Sequence, residues 1–115
     1  MIASGKEQDT SLLIKALPYT VITDGSDLTI DFRDRCFVTT YLSDADEETV
    51  ASIVEKNGGL VKHNVTGKTS FLIVEDETTD SVKVRKVKAQ LYAGNPVTVM
   101  TFEAFMEAVK NQNGS

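Results

Sequence analysis

Apolar positions in this chain follow two rhythms, one of period two and one near 3.6. Leu28, Ile30 and Phe32 alternate with Thr29 and Asp31, the spacing of a strand that buries one face. Tyr19 to Thr23 is also β-rich. Between the two lies Asp24-Gly25-Ser26-Asp27, where Gly supplies positive φ and Asp can bond its own backbone, so the pair predicts a β-hairpin over 19–31. Cys36-Phe37-Val38 is a short apolar run ending in Thr39-Thr40, as expected of a strand covered on both faces, and we assign it the centre of a sheet.

Helical spacing then takes over. Ser43 or Asp44 can cap a helix whose first turn holds Asp46, Glu47 and Glu48, where the macrodipole favours negative charge. Val50, Ile53 and Val54 share one face, and Asn57-Gly58-Gly59 supplies the left-handed stop. Leu60 to Val65, with Val61, His63 and Val65 on one side, and Ser70 to Val74 read as strands. From Ser81, Val84, Val87 and Leu91 define a second helix that ends at Gly94. Pro96 introduces a strand over Val97 to Met100, and Thr101 caps a last helix carrying Phe105, Met106 and Val109 on one side. After the hairpin the order is β, α, β, β, α, β, α, which indicates an α/β fold with a mostly parallel sheet and helices on both faces.

The ends of the chain are less patterned. Residues 1–18 read as a flexible tail or linker, in which Ser11 to Leu17 could form a short helical turn before Pro18, and 111–115 as a second tail. At 115 residues, 41% of them hydrophobic and 25% charged, the chain has the size and mixture of one globular domain. A net charge of −5 disfavours non-specific attraction to nucleic acid, which needs Lys and Arg facing phosphates. Any such contact must be local. A lone Cys36 forms no internal disulfide and suits a reducing, intracellular setting; with only His63 beside it, no zinc site, metal or cofactor is expected. No apolar run approaches the ~20 residues that span a bilayer.

Several patterns suggest chemistry and fail on closer reading. Gly67-Lys68-Thr69 is similar to the end of a phosphate-binding loop, but the loop's first Gly is replaced by Lys62 and a strand follows where a helix is needed. Cys36 and His63 could serve as nucleophile and base, yet an apolar strand would bury the thiol and keep it inert. No pair of carboxylates is set at strand ends as general acid and base require, so no catalytic constellation is found and an enzyme is not expected. Phe102, Phe105 and Met106 lack the basic interleaving of base-stacking aromatics and read as core.

Four stretches together resemble the BRCT family: Phe37-Val38-Thr39-Thr40-Tyr41-Leu42, the helix ending at Gly58-Gly59, Val65 through Val74, and Arg85-Lys86-Val87-Lys88-Ala89 running on through Val99-Met100-Thr101 to Phe105. The resemblance covers about residues 32–110. It implies a four-stranded parallel sheet in the order 2-1-3-4, with the first and last helices on one face and the middle helix on the other, and the hairpin as an extension outside that unit. It also implies a non-catalytic interaction module serving DNA replication or repair, such as a domain of a DNA ligase, clamp loader or exonuclease. Its partners would be replication or repair proteins, a phosphorylated peptide or a DNA 5′-phosphate end.

Phosphate-binding members use a hydroxyl at the end of the first strand, the next backbone amide and a cation opening the middle helix. On that resemblance Thr39 matches the hydroxyl, Thr40 stands where glycine is usual, and Arg85 matches the cation, with Lys83 and Lys88 nearby. Two features oppose the transfer. Thr40 adds a side chain where bare backbone approaches the anion, and Asp44, Asp46, Glu47 and Glu48 would repel it. The basic cluster also has a plainer explanation as a solvated helix face, with Lys83 and Lys86 on one flank of the buried stripe and Arg85 and Lys88 on the other. Protein contact is therefore the leading functional expectation, and phosphate or DNA-end binding the alternative.

Overall fold

The computed structural model describes residues 16–113. Its elements are β1 (Val21–Ile22), β2 (Cys36–Thr40), α1 (Asp44–Lys56), β3 (Leu60–Val61), β4 (Thr69–Val74), α2 (Val82–Tyr92), β5 (Thr98–Thr101) and α3 (Phe102–Asn113). The strands form one sheet in the order β1-β5-β4-β2-β3, and every pairing is parallel. The β3-β2-β4-β5 part has the order expected for the four-stranded unit, and β2 is central to it.

Alternation along the strands divides the interior into two layers. Phe37, Ile73 and Met100 face α1 and α3, joining Val50, Val54, Ala104 and Phe105 in one core. Val38, Leu72, Val74 and Val99 face the other way, against Val84, Val87 and Leu91 of α2. The middle helix thus stands alone on its face. Each helix begins at the capping residue that composition offers: Ser43 Oγ accepts from the Asp46 amide, Ser81 Oγ from Val84 and Thr101 Oγ1 from Ala104. Gly58 has φ 89° and ends α1. A side chain on Gly59 would press on Val54 and on the Phe32 carbonyl, so the second glycine of the pair is required by packing.

The expected hairpin does not form. Residues 21–22 pair in parallel with β5 instead, adding a fifth strand to the edge of the sheet, and 28–32 carries no strand. Its alternation still reports burial, because Ile30 and Phe32 lie in the core. What replaces a neighbouring strand is α3. The Gln112 side chain accepts from the Ile30 amide and donates to the Ile30 carbonyl, Asn111 donates to the Ser26 carbonyl, and Glu107 accepts from the Gly25 amide. Asn111 and Gln112, assigned to a tail by composition, are therefore in the helix and bonded. Gly25 is needed for contact rather than for positive φ: a Cβ there would stand 2.0 Å from the Ala104 carbonyl oxygen. The turn is drawn onto the helix and cannot fold back.

Two further boundaries differ. The strand expected over Leu60 to Val65 is only Leu60–Val61, since the chain turns away after Lys62 donates to the Phe37 carbonyl. Val61 packs with the α1/α3 core and Val65 with the α2 core, so they do not share a face. The helical turn expected near Ser11 to Leu17 falls almost wholly outside the described residues; within them, the Leu17 amide donates to the Leu91 carbonyl.

Gly25→Ala should cost about 1–3 kcal/mol in urea unfolding, the range for forcing volume into a packed contact. Gly67→Ala, where a Cβ meets only the tip of Gln90 at 3.8 Å, should stay within about 0.5 kcal/mol. Equal effects of the two would refute the docking of Gly25 on α3.

Candidate functional site

In a parallel sheet all strands end on the same edge, and ligands of open α/β folds enter there. Alternation decides where the two candidate threonines point. Thr39, in phase with Phe37, faces α1, where its hydroxyl donates to Glu47 Oε2 at 3.2 Å. Thr40, in phase with Val38, faces α2, and its hydroxyl lies 2.9 Å from Ser81 Oγ in a buried contact. The two hydroxyls therefore serve opposite faces of the sheet.

The cations disperse as well. Lys83 reaches back to this edge and donates to the Thr39 carbonyl at 2.8 Å. Arg85 pairs with Asp80 at 3.4 Å, with both side chains largely exposed, a contact worth little. Lys88 lies 4.8 Å over the Tyr19 ring, a cation–π contact that fastens the chain before β1 to α2. Of the five sequence candidates, Thr39 and Lys83 come together, Thr40 joins the α2 cap, and Arg85 and Lys88 are engaged with other partners.

A cleft of about 470 Å³ opens beside Thr39, with Asp44, Glu47 and Glu48 of α1 on one wall and Lys62, His63 and Lys83 around the rest. Cys36 begins β2 in register with Leu60, whereas His63 lines the cleft toward the other end of that strand. Among the described residues no group of His, Cys, Asp and Glu is arranged to hold a metal ion, and no helix is long and apolar enough to cross a membrane.

Sequence reasoning missed one feature. Tyr41, not Thr40, holds the left-handed backbone at the end of β2, with φ 61° and 64% of its surface exposed. That conformation costs an L-residue roughly 1–2 kcal/mol and is unusual for an aromatic. A chain leaving a strand sharply for a helix cap at Ser43 gives a weak signal for such a turn, but nothing in the residue type points to it. The partnership of Thr39 with Glu47 could have been found from strand parity, since both belong to the α1 side.

The next loop along this edge, after β4, is also acidic. The Thr78 hydroxyl, with its amide, bonds Asp76 and holds that carboxyl below the usual carboxylate range.

This architecture, a parallel sheet with one helix on one face and two on the other, defines a class of α/β domain. The BRCA1 C Terminus (BRCT) domain family matches residues 28–91, more than half of the chain, and the chain belongs to that family. BRCT domains are generally non-catalytic modules that bind proteins, phosphorylated groups or DNA in repair and cell-cycle proteins. The match stops at the end of α2, yet β5 and α3 continue the same sheet and core. None of the curated proteins compared with the chain matches it.

Burial raises the Tyr19 phenol above its ordinary range, with the Asp80 charge adding to the effect, and its hydroxyl has no hydrogen-bond partner among the described residues. A raised folded-state pKa means stability that is complete below the unfolded phenol value of roughly 10 and is lost as pH rises through the folded value. Thermal unfolding at pH 8 and pH 11 should show that loss, and Tyr19→Phe should reduce it while leaving stability at pH 8 unchanged or higher. An unchanged alkaline loss in Tyr19→Phe would assign it to other groups.

Proposed function

We propose that this chain is a binding module that positions a larger replication or repair assembly through protein contacts and contributes no catalytic step of its own. The observation that carries the reading is the state of the edge where a phosphate would enter. Thr39 is bonded to a carboxylate, Thr40 is spent on Ser81, and acidic side chains line the approach. A dianion arriving there would meet the three carboxylates of the α1 wall, which Lys62 and Lys83 offset only in part. The folded unit on this reading runs from residue 17 to 112, wider than 32–110, because Leu17 is bonded to Leu91 and Gln112 to Ile30. An intracellular setting, the bacterial cytoplasm or nucleoid or the nucleus, accords with the family and with a single free cysteine.

One contact favours the alternative, a DNA-end or phosphate-binding domain of a larger enzyme such as a ligase or exonuclease. The Lys83 ammonium sits on the Thr39 carbonyl beside the start of α2, where a cation and a helix N-terminus could serve an anion together. The test has two arms. The chain is titrated with the intact replication and repair proteins of the same cell, and separately with 5′-phosphorylated and unphosphorylated duplex ends. Saturable binding to a protein and weak, equal binding to both DNA ends is the expected outcome. A tenfold or greater preference for the phosphorylated end would replace the protein-contact reading with the alternative.

A further inference from the structure

Charge is distributed along the axis of the sheet. Residues 44–48, which follow β2, contain four acidic side chains and no basic one, and residues 75–80, which follow β4, contain another four and no basic one. Glu103 opens α3 after β5. The opposite end carries Arg33, Arg35, Lys56, Lys68 and Lys110, with Asp31, Asp34 and Glu55 in partial compensation. Helix polarity accounts for part of this, since α1 and α3 begin at the acidic edge and end at the basic one. It does not account for the loop after β4, which is acidic without opening α2, whose first turn has no acidic residue.

Apolar surface accompanies the charge. Tyr41 follows Thr40 and Val82 follows Ser81; the Thr40 and Ser81 hydroxyls are in contact, so the two exposed residues flank one short junction between β2 and α2. Their exposures are 64% and 62%. The cleft beside Thr39 opens at the same edge, and Asp44, Glu47 and Glu48 on its α1 wall make no salt bridge among the described residues. Lys62 and Lys83 line the same cleft, two cations against three carboxylates, and Lys83 already donates to a backbone carbonyl.

We propose that this edge is a docking surface for an unphosphorylated basic segment of a protein partner, taking an Arg or Lys side chain against the α1 wall and an adjacent apolar residue between Tyr41 and Val82. The proposal deepens the protein-contact reading and rests on it. Charge complementarity selects this occupant: a segment of opposite sign is drawn to the edge over long range, and the apolar pair gives it a place to bury surface on arrival. A DNA end or a phosphorylated peptide carries the sign that prevails at this edge, where the carboxylates of 44–48 and 75–80 outnumber Lys62, Lys83 and Arg85.

The experiment uses the full chain, labelled with nitrogen-15, and three synthetic peptides of equal length: one with paired arginines beside leucine and phenylalanine, one with those arginines replaced by glutamate, and one with the basic sequence carrying phosphoserine beside the apolar pair. The first should shift amides near Thr39, Tyr41, Glu47 and Val82, more weakly as salt is raised, and the glutamate peptide should not. Glu47→Gln with Glu48→Gln, and separately Tyr41→Ala, should each weaken binding by about fivefold, the scale of one or two exposed contacts. Both sites are at the surface, and an otherwise unchanged spectrum establishes that the variants fold. No binding of the basic peptide, tighter binding of the phosphoserine peptide, shifts centred elsewhere, or concentration-dependent shifts without peptide from a second copy seated on the edge would each overturn the proposal. The titration with intact proteins judges the module reading separately: a protein that binds the Glu47/Glu48 variant undiminished keeps that reading and ends this one.

Discussion

Phe37 stacks on Phe71 of the neighbouring strand with ring centres 4.5 Å apart and on Phe32, from the segment before β2, at 5.5 Å. Phe105 of α3 closes the group edge-on, 6.2 Å from Phe32 and 6.4 Å from Phe37. Each such pair adds roughly 0.5–1.5 kcal/mol beyond the burial of the rings. The cluster joins two strands, the last helix and a stretch of chain that belongs to no strand. With Phe37 fixed inward on this face, every other position of β2 is assigned: Val38 must face α2, Thr39 must face α1 and Thr40 must face the Ser81 cap.

That assignment reaches the functional edge without any further device. A strand covered on both sides has no free face on which two neighbouring hydroxyls could gather, so the polar end of β2 is shared between the helices. The consequence is a junction in which each hydroxyl is bonded on its own side of the sheet. Acidic residues that serve α1 as a favourable first turn also face the cleft, so one set of charges supports the helix and sets the sign of the surface.

Much of this could be read from the residues. Capping residues, helix faces and the apolar run of β2 all declare themselves through local spacing, because each is decided by contacts within a few residues or by burial alone. Leu28, Ile30 and Phe32 show where that ends. Alternation reports which side chains go inward, and it says nothing of what bonds the backbone; here the partner is a helix side chain 82 residues away, and a hairpin was the wrong inference. The candidate site meets the same limit. The family resemblance put Arg85 in the cation's place with Lys83 nearby, and it is Lys83 that reaches Thr39; the glycine-like backbone of Tyr41 and the dispersal of Arg85 and Lys88 depend on turns and tertiary contacts that composition does not encode.

The hold of α3 on the segment from Gly25 to Ile30 bears on how the protein is made. Glu107, Asn111 and Gln112 supply bonds to backbone groups that leave the ribosome some eighty residues earlier. During synthesis from the N-terminus, Ile30 and Phe32 must wait, uncovered, until the last helix has emerged and docked. Final closure of this domain is therefore a late, long-range event, and the nascent chain carries an apolar stretch in need of shielding while the 82 residues up to its partner are made.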